Sequence, residues 1–315
     1  MTSTRPPVNP NATPEACELL AFLYSKYGKA TLSGQHNQMH HMSEVSEGIE
    51  ALTGKYPLVW GGEWGFSDAR HPSDDICHRP RFLSEIQRRH EEGRIVVVSF
   101  HQASPVVGEP CLFDPGVIGN LTDEEWDGVL TPGHPFHQTW MTDVDRLGEA
   151  LAGLRHIPII FRPYHEMNGG WFWWGGDSAR FLALWHMVFE RFVRVHELHN
   201  LLWAWTPDKP LDGIESFYPG HGTVDLLGTD IYPNKDREDT YPQEWYDRMF
   251  ALAEGRPLAL SEMSLLPTSE QLERQPWAWF MGWDNMIFEA NSVEELKAAY
   301  SSTLVDSEPM SVFVP

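Results

Sequence analysis

Eight short apolar runs, rich in β-branched and aromatic residues, recur along this chain and constrain its fold more than any other feature. They occupy residues 29–36, 56–66, 94–102, 156–166, 200–207, 223–232, 256–265 and 278–285. Most are continuous rather than alternating, the pattern of strands covered on both faces. Between them, residues 39–52, 79–92, 143–154, 178–198, 242–253 and 293–302 repeat apolar positions at spacings of three and four, as helices with one buried face do. Ser292 followed by Glu295 reads as a capping box. Gly93 and Gly255 stand where helices end. Strands alternating with helices require a parallel sheet with helical crossovers. Eight such units in 315 residues point to a (β/α)8 TIM barrel. A doubly wound open sheet is the alternative, but no Gly-x-Gly-x-x-Gly follows the first strand.

One stretch breaks the rhythm. Residues 103–140, rich in Gly, Pro and Asp, follow the third strand and read as a long functional loop on the catalytic face. No repeat, low-complexity tract or linker interrupts the chain, so residues 1–315 are expected to form one domain, with 1–16 as an extended arm. The charged stretch NKDRED, residues 234–239, reads as a solvated loop.

The formal charge of −22 disfavours nucleic acid, anionic lipid and acidic polysaccharide as partners and suits a neutral substrate. No apolar run is long enough to span a bilayer. Cys17, Cys77 and Cys111 form no Cys-x-x-Cys pair, which argues against a zinc site of that type. Cys77 and Cys111 flank the third strand, leaving open a bridge between them or two plain thiols. The histidines His36, His40 and His41 lack a His-Glu-x-x-His pattern or a third convergent ligand, and no metal is expected there.

In a barrel the chemistry lies at the C-terminal ends of the strands. Those ends carry Gln35 and His36, Glu63 and Trp64, His101, then Arg162, His165 and Glu166, and later Trp205, Asp230, Tyr232, Glu262, Trp283 and Asp284. An acidic, aromatic mouth of this kind suits carbohydrate: sugar rings stack on Trp and Tyr, and hydroxyls bond to polar side chains. Hydrolysis of a glycosidic bond needs two carboxyl groups. Glu166 and Glu262 are the best pair, since each follows an apolar strand almost directly, in IIFRPYHE and PLALSE, and strands four and seven face each other across the mouth. Carboxyls about 5–5.5 Å apart specify retention, and about 6.5–9.5 Å inversion. Arg162 and Tyr232 are suitable donors to Glu262. The aromatics Trp171, Trp173 and Trp174 crowd beside Gly, with the two later ones either binding sugar or packing the loop. His36 reads as a group in or just behind the sugar site, and Glu63 as a substrate group or a plain rim acid.

RPYHEMNGGWFWWG and LALSEMS, supported by SGQH, GGEWGF, SFH, WAWTP and TDIYP, resemble the motifs of glycoside hydrolase family 26, a family of many β-1,4-mannanases. The resemblance runs from about Gly34 to Asn285. It implies a retaining mechanism with Glu166 as acid/base and Glu262 as nucleophile. It also implies that His165 holds substrate near the cleaved bond, Trp171 forms a sugar-binding wall, Tyr232 orients the nucleophile, and His101 and Trp283 line the −1 sugar site. Asn168, Arg162, Trp174, His36 and Glu63 complete the expected substrate-binding set. No cofactor and no metal are implied. The nucleophile strand continues as Met263-Ser264, a departure from the FG-like pair of the family pattern.

The expected activity is endo-hydrolysis of mannan, galactomannan or glucomannan by a monomer. Alternatives are a mixed-linkage β-glucanase or β-1,3-xylanase on the same fold, or a non-catalytic glycan-binding protein. The first residues lack the apolar core of a signal peptide. Polymeric mannan lies outside cells, so a secreted, extracellular protein is expected, its export signal absent from this sequence.

Overall fold

The computed structural model describes residues 4–68, 75–233 and 240–311. The stretch 234–239 lies outside the described residues. In chain order the first half comprises α1 (Pro14–Lys26), β1 (Thr31–Asn37), α2 (Glu44–Thr53), β2 (Val59–Glu63), α3 (Arg79–Glu91), β3 (Ile95–Phe100), α4 (Asp123–Leu130), α5 (Pro135–Ala152) and β4 (Ile159–Pro163). The second half comprises α6 (Ser178–Glu190), β5 (Leu201–Trp205), β6 (Leu226–Asp230), α7 (Gln243–Ala253), β7 (Leu258–Met263), α8 (Ser269–Arg274), β8 (Trp279–Trp283), α9 (Met286–Ala290), α10 (Val293–Ser301) and β9 (Val305–Asp306). Strands β1 to β8 pair in parallel with their sequence neighbours, and β1 pairs with both β2 and β8, so the sheet closes. This is the expected (β/α)8 barrel. The two-residue β9 adds to the start of β1. No helix among the described residues is long and apolar enough to cross a membrane.

Every predicted strand lies where its apolar run does, and nearly all strand residues are buried. Outward-facing residues such as Val96, Val98, Ile159 and Phe161 pack with the helices in one apolar cluster. Val59, Val97, Ile160, Leu202 and Ala259 form a second cluster with Ala16, Leu19, Leu20 and Leu23 of α1. Alternation along each strand explains the division. Helix α1 therefore closes the N-terminal end of the barrel, opposite the strand ends that carry the chemistry.

The expectation of an extended arm over 1–16 needs correction. Helix α1 begins at Pro14, with Thr13 as its cap accepting from the Ala16 N–H. The preceding residues are tied down as well: the Val8 N–H donates to Asp225 at 2.7 Å, and the Asn9 side chain lies 3.1 Å from His199. The long-loop reading of 103–140 is corrected too. Thr122 and Glu125 form a capping box that starts α4, and Pro135 occupies the first turn of α5. What remains irregular is fastened across the catalytic face, where Ile118 bridges Phe172 and the Gly119 N–H donates to the Trp171 carbonyl at 2.9 Å. Cys77 is exposed and Cys111 buried, and both are free thiols, so there is no bridge between them.

Candidate active site

Glu262 is the penultimate residue of β7 and is buried. The β6–β7 register shifts between Thr229 and Asp230, which sets Asp230 directly opposite Glu262. Such irregularities re-aim side chains beside active sites. Arg162, from β4, reaches across: its Nη1 donates to Glu262 Oε1 at 2.7 Å, and its Nη2 donates to Asp230. The other oxygen of Glu262 accepts from Tyr232 Oη at 2.6 Å. Burial, reinforced by the Glu262 charge, holds the Tyr232 phenol well above its ordinary pKa, so it stays a neutral donor. His165 Nε2 lies 3.5 Å from Glu262 Oε1. Burial and the nearby Arg162 charge push the His165 pKa well down, so this ring is neutral. Glu262 is thus a fixed carboxylate with hydrogen bonds on both oxygens.

Glu166 is held differently. Strand β4 ends at Pro163, so Glu166 rides on the turn that follows, not on the strand itself as its apolar run suggested. Tyr164 and Glu166 both adopt left-handed backbone, at φ 49° and 53°. Non-glycine residues held there cost about 1–3 kcal/mol and persist only where surroundings fix them. The Glu166 N–H donates to the Thr206 carbonyl at 2.8 Å, and Trp174 Nε1 donates to the His165 carbonyl at 2.9 Å. Trp171 Nε1 donates to Glu166 Oε2 at 2.9 Å. The Trp171 ring lies across Gly169, where a Cβ would come within 2.2 Å of it. Burial, then the charges of Glu262 and Asp208, raise the Glu166 carboxyl to about 8, against the opposing pull of Arg162 and Trp171. Two carboxyls therefore face one site, one hydrogen-bonded on both oxygens and the other disposed to carry a proton, the division of roles that acid-assisted bond cleavage uses.

Both carboxyls line a cavity of about 350 Å³, together with His101, His165, Tyr232, Trp283 and the phenylalanines Phe66, Phe113 and Phe172. Size and lining suit a sugar ring or two. Among the described residues, one group with metal-ligand convergence falls here, His165, Asp230 and Glu262. It surrounds the Arg162 guanidinium, which already supplies the positive charge. The other group, Asp75, Cys77 and His78, lies in the loop before α3. The His36, His40 and His41 set does not converge.

The family model for glycosyl hydrolase family 26 matches residues 8–308. The chain belongs to this family. Among solved structures it is similar to GH26A from Muricauda sp. MAR_2010_75, with a TM-score of 0.87 and 37% identity over 95% of this chain and 98% of that one. It is also similar to a β-mannanase from a symbiotic protist of the termite Reticulitermes speratus, solved with a gluco-manno-oligosaccharide (TM-score 0.83, 26% identity, 97% and 96% covered). Mannan endo-1,4-β-mannosidase A of Piromyces sp is 29% identical over 88% of this chain and 45% of its own length. The mannan endo-1,4-β-mannosidase of Thermothelomyces thermophilus is 29% identical over 94% and 61%. The chain thus spans about half the length of such relatives.

Within this family 26 site, several expected substrate contacts prove to be supports. Trp174 is fully buried, stacked on Phe172 at 4.4 Å, and does not line this cavity. Trp173 is likewise spent on the Gln102 carbonyl. Arg162, Glu63 and His36 are closed to solvent and stand behind the cavity wall. Glu63 accepts from both the backbone N–H and Nδ1 of His101 at 2.7 Å, and its charge overcomes burial to hold the His101 pKa above the ordinary value. His36 stacks on Trp283, centroids 3.9 Å apart and planes 16° from parallel, so the ring behind carries the ring in front. Asn168 spends its amide on the Asp208 backbone. Trp171 is half-buried beside Glu166. Phe113 and Phe172 line the cavity without being strand-end groups, Phe172 as the second residue of WFWWG. Asp230 is legible in the sequence only as a strand end.

Proposed function

We propose that this protein is an endo-β-1,4-mannanase that hydrolyses mannan, galactomannan or glucomannan with retention, acting outside the cell as a monomer. The observation that carries the reading is the unequal carboxyl pair at one aromatic cavity: Glu262 fixed by Arg162 and Tyr232, Glu166 raised to about 8. The choice of mannan is supported by the relatives, which are mannan endo-1,4-β-mannosidases. Export is supported by the polymeric substrate.

Glu262 attacks the anomeric carbon while Glu166 gives its proton to the departing glycosidic oxygen. The bond from C1 to that oxygen breaks as the bond from C1 to Glu262 forms. Attack consumes the Glu262 charge, one of the causes that raise Glu166, so the Glu166 pKa falls and it can take a proton from water. The hydroxide equivalent attacks C1, Glu262 departs as carboxylate, and both groups return to their starting states. Arg162 and Tyr232 hold Glu262 in line throughout. Trp283, fixed by His36, and Trp171 offer ring faces to the sugar.

Reducing-sugar release from galactomannan, glucomannan, barley β-glucan and β-1,3-xylan tests the reading, using wild type and Glu262→Gln. Turnover of the mannans by wild type alone is expected. Turnover confined to glucan or xylan overturns the substrate. A folded wild type inactive on all four, yet binding sugar, overturns the enzyme reading in favour of a glycan-binding protein.

A further inference from the structure

We propose that Asn168 is a positioning residue for the acid/base Glu166, clamping the turn that carries it to the loop after β5. The inference rests on the catalytic reading above and deepens it.

Glu166 and Asn168 lie on the same left-handed turn, two residues apart, beyond the end of β4. The Asn168 side chain is used in both directions. Its Nδ2 donates to the Asp208 carbonyl at 2.9 Å and to the Lys209 carbonyl at 3.4 Å, while its Oδ1 accepts from the Asp208 N–H at 2.9 Å. A primary amide donates to backbone carbonyls from one end and accepts from a backbone N–H at the other, which the isosteric Asp carboxylate, having no donor, does not do. The segment it grips is itself anchored: the Asp230 N–H donates to the Pro207 carbonyl at 2.9 Å, and the Lys209 N–H donates to the Asp230 carbonyl at 3.2 Å. Glu166 adds its own N–H to the Thr206 carbonyl. The acid turn is therefore stapled through the β5 loop to Asp230, the residue that shares Arg162 with Glu262. One chain of backbone bonds sets the acid relative to the nucleophile.

The clamp has a second consequence. It fixes Asp208, whose carboxylate, together with that of Glu262, favours the protonated acid. The groups facing Glu166 are Glu262 from β7, Asp208 from the β5 loop with Lys209 at 3.0 Å from it, Arg162 from β4, Asp230 from the end of β6, Tyr232 just beyond it, and the Trp171 indole N–H. Loosening the clamp lets Asp208 drift toward solvent and lowers the proton affinity of Glu166. Asn168 itself lines no part of the cavity.

The test is kcat/KM for Asn168→Ala and Asn168→Asp on mannohexaose and on 2,4-dinitrophenyl β-mannobioside, each as a pH profile, with thermal melts alongside. The aryl leaving group needs no proton, so it isolates the acid step. For Asn168→Ala, mannohexaose turnover should fall about 10–100-fold, the scale of impaired general-acid catalysis. The aryl substrate should stay within about threefold, and the alkaline limb should move to lower pH. Asn168→Asp keeps the acceptor, so its loss on mannohexaose should lie between wild type and Asn168→Ala, while its added carboxylate opposes the shift of the alkaline limb, which is read on Asn168→Ala. Equal losses on both substrates, or a raised KM with unchanged kcat, overturn the inference and make Asn168 a general fold or sugar-contact residue. If Asn168→Ala melts before assay temperature, Asn168→Asp alone decides by the same split. Wild type that leaves mannohexaose intact refutes the substrate reading, and the split is then read on the β-glycan it does cleave. Wild type inactive on every β-glycan overturns both.

Discussion

Arg162 Nη1 donates to Glu262 Oε1 at 2.7 Å while both side chains are nearly closed to solvent, 2% and 4% exposed. The same guanidinium holds Asp230, which is fully buried. One cation thus compensates two buried carboxyls, of which Glu262 lines the cavity. Arg162→Met leaves both unpaired and should lower stability by about 3–5 kcal/mol in urea denaturation. Adding Asp230→Asn should restore part of that loss without restoring activity, because Glu262 still lacks the Arg162 donor and keeps only that of Tyr232. A single-variant cost under about 1 kcal/mol, the range of surface ion pairs, would contradict the buried-triad account.

The raised Glu166 pKa makes a stability prediction with a definite sign. Its folded value, about 8, lies above the ordinary 4.5, so the folded state holds the proton more tightly. The resulting stabilisation is complete below about pH 4.5 and is lost as pH rises through about 8. Glu166→Gln cannot ionise. Its Tm should match or trail wild type at pH 4 and exceed it increasingly up to pH 9. In wild type, kcat/KM should fall above about pH 8 as the acid loses its proton. A Tm difference that is flat with pH would remove the raised pKa.

Trp171 offers a way to separate wall from proton control. Its indole N–H bonds to Glu166 Oε2 and favours the charged form. Trp171→Phe keeps a ring face and loses that donor, so the alkaline limb should move to higher pH with a modest change in KM. Trp171→Ala should also weaken binding by about 1–3 kcal/mol. An unmoved pH profile in Trp171→Phe would show that the hydrogen bond does not persist in the working enzyme.

Much of this was legible in the sequence, for physical reasons that also mark the limits. Buried parallel strands must be continuous apolar runs, and barrel chemistry must sit at their ends, so Arg162, Glu262 and Tyr232 could be located from order alone. Helices α1 and α4 carried readable signals, Thr13-Pro14 and the Thr122–Glu125 box, obscured by a Pro- and Gly-rich setting. Pro163 could have warned that β4 stops short of Glu166. The direction of Trp174 could not be read, because adjacent aromatics on a turn carry no periodicity to say which faces inward. The pairing of Asp230 with Glu262 depends on a register shift between two strands, which no single strand records.

The retaining assignment makes the last prediction, and it depends on Glu166 acting twice. In the first step Glu166 protonates the leaving oxygen, and in the second it deprotonates water. Glu166→Ala should therefore lose several orders of magnitude in kcat/KM on mannohexaose. On 2,4-dinitrophenyl β-mannobioside its kcat/KM should stay near wild type, since attack by Glu262 alone expels that leaving group. Its kcat on the aryl substrate should still collapse, because the glycosyl-enzyme waits for a base. A burst of dinitrophenol equal to the enzyme concentration should precede slow turnover. Wild type followed by proton NMR should release the β-anomer first, before mutarotation. An α-anomer formed first, or no burst in Glu166→Ala, would mean that water rather than Glu262 attacks the sugar, and the two carboxyls would then have to be reassigned as acid and base of an inverting enzyme.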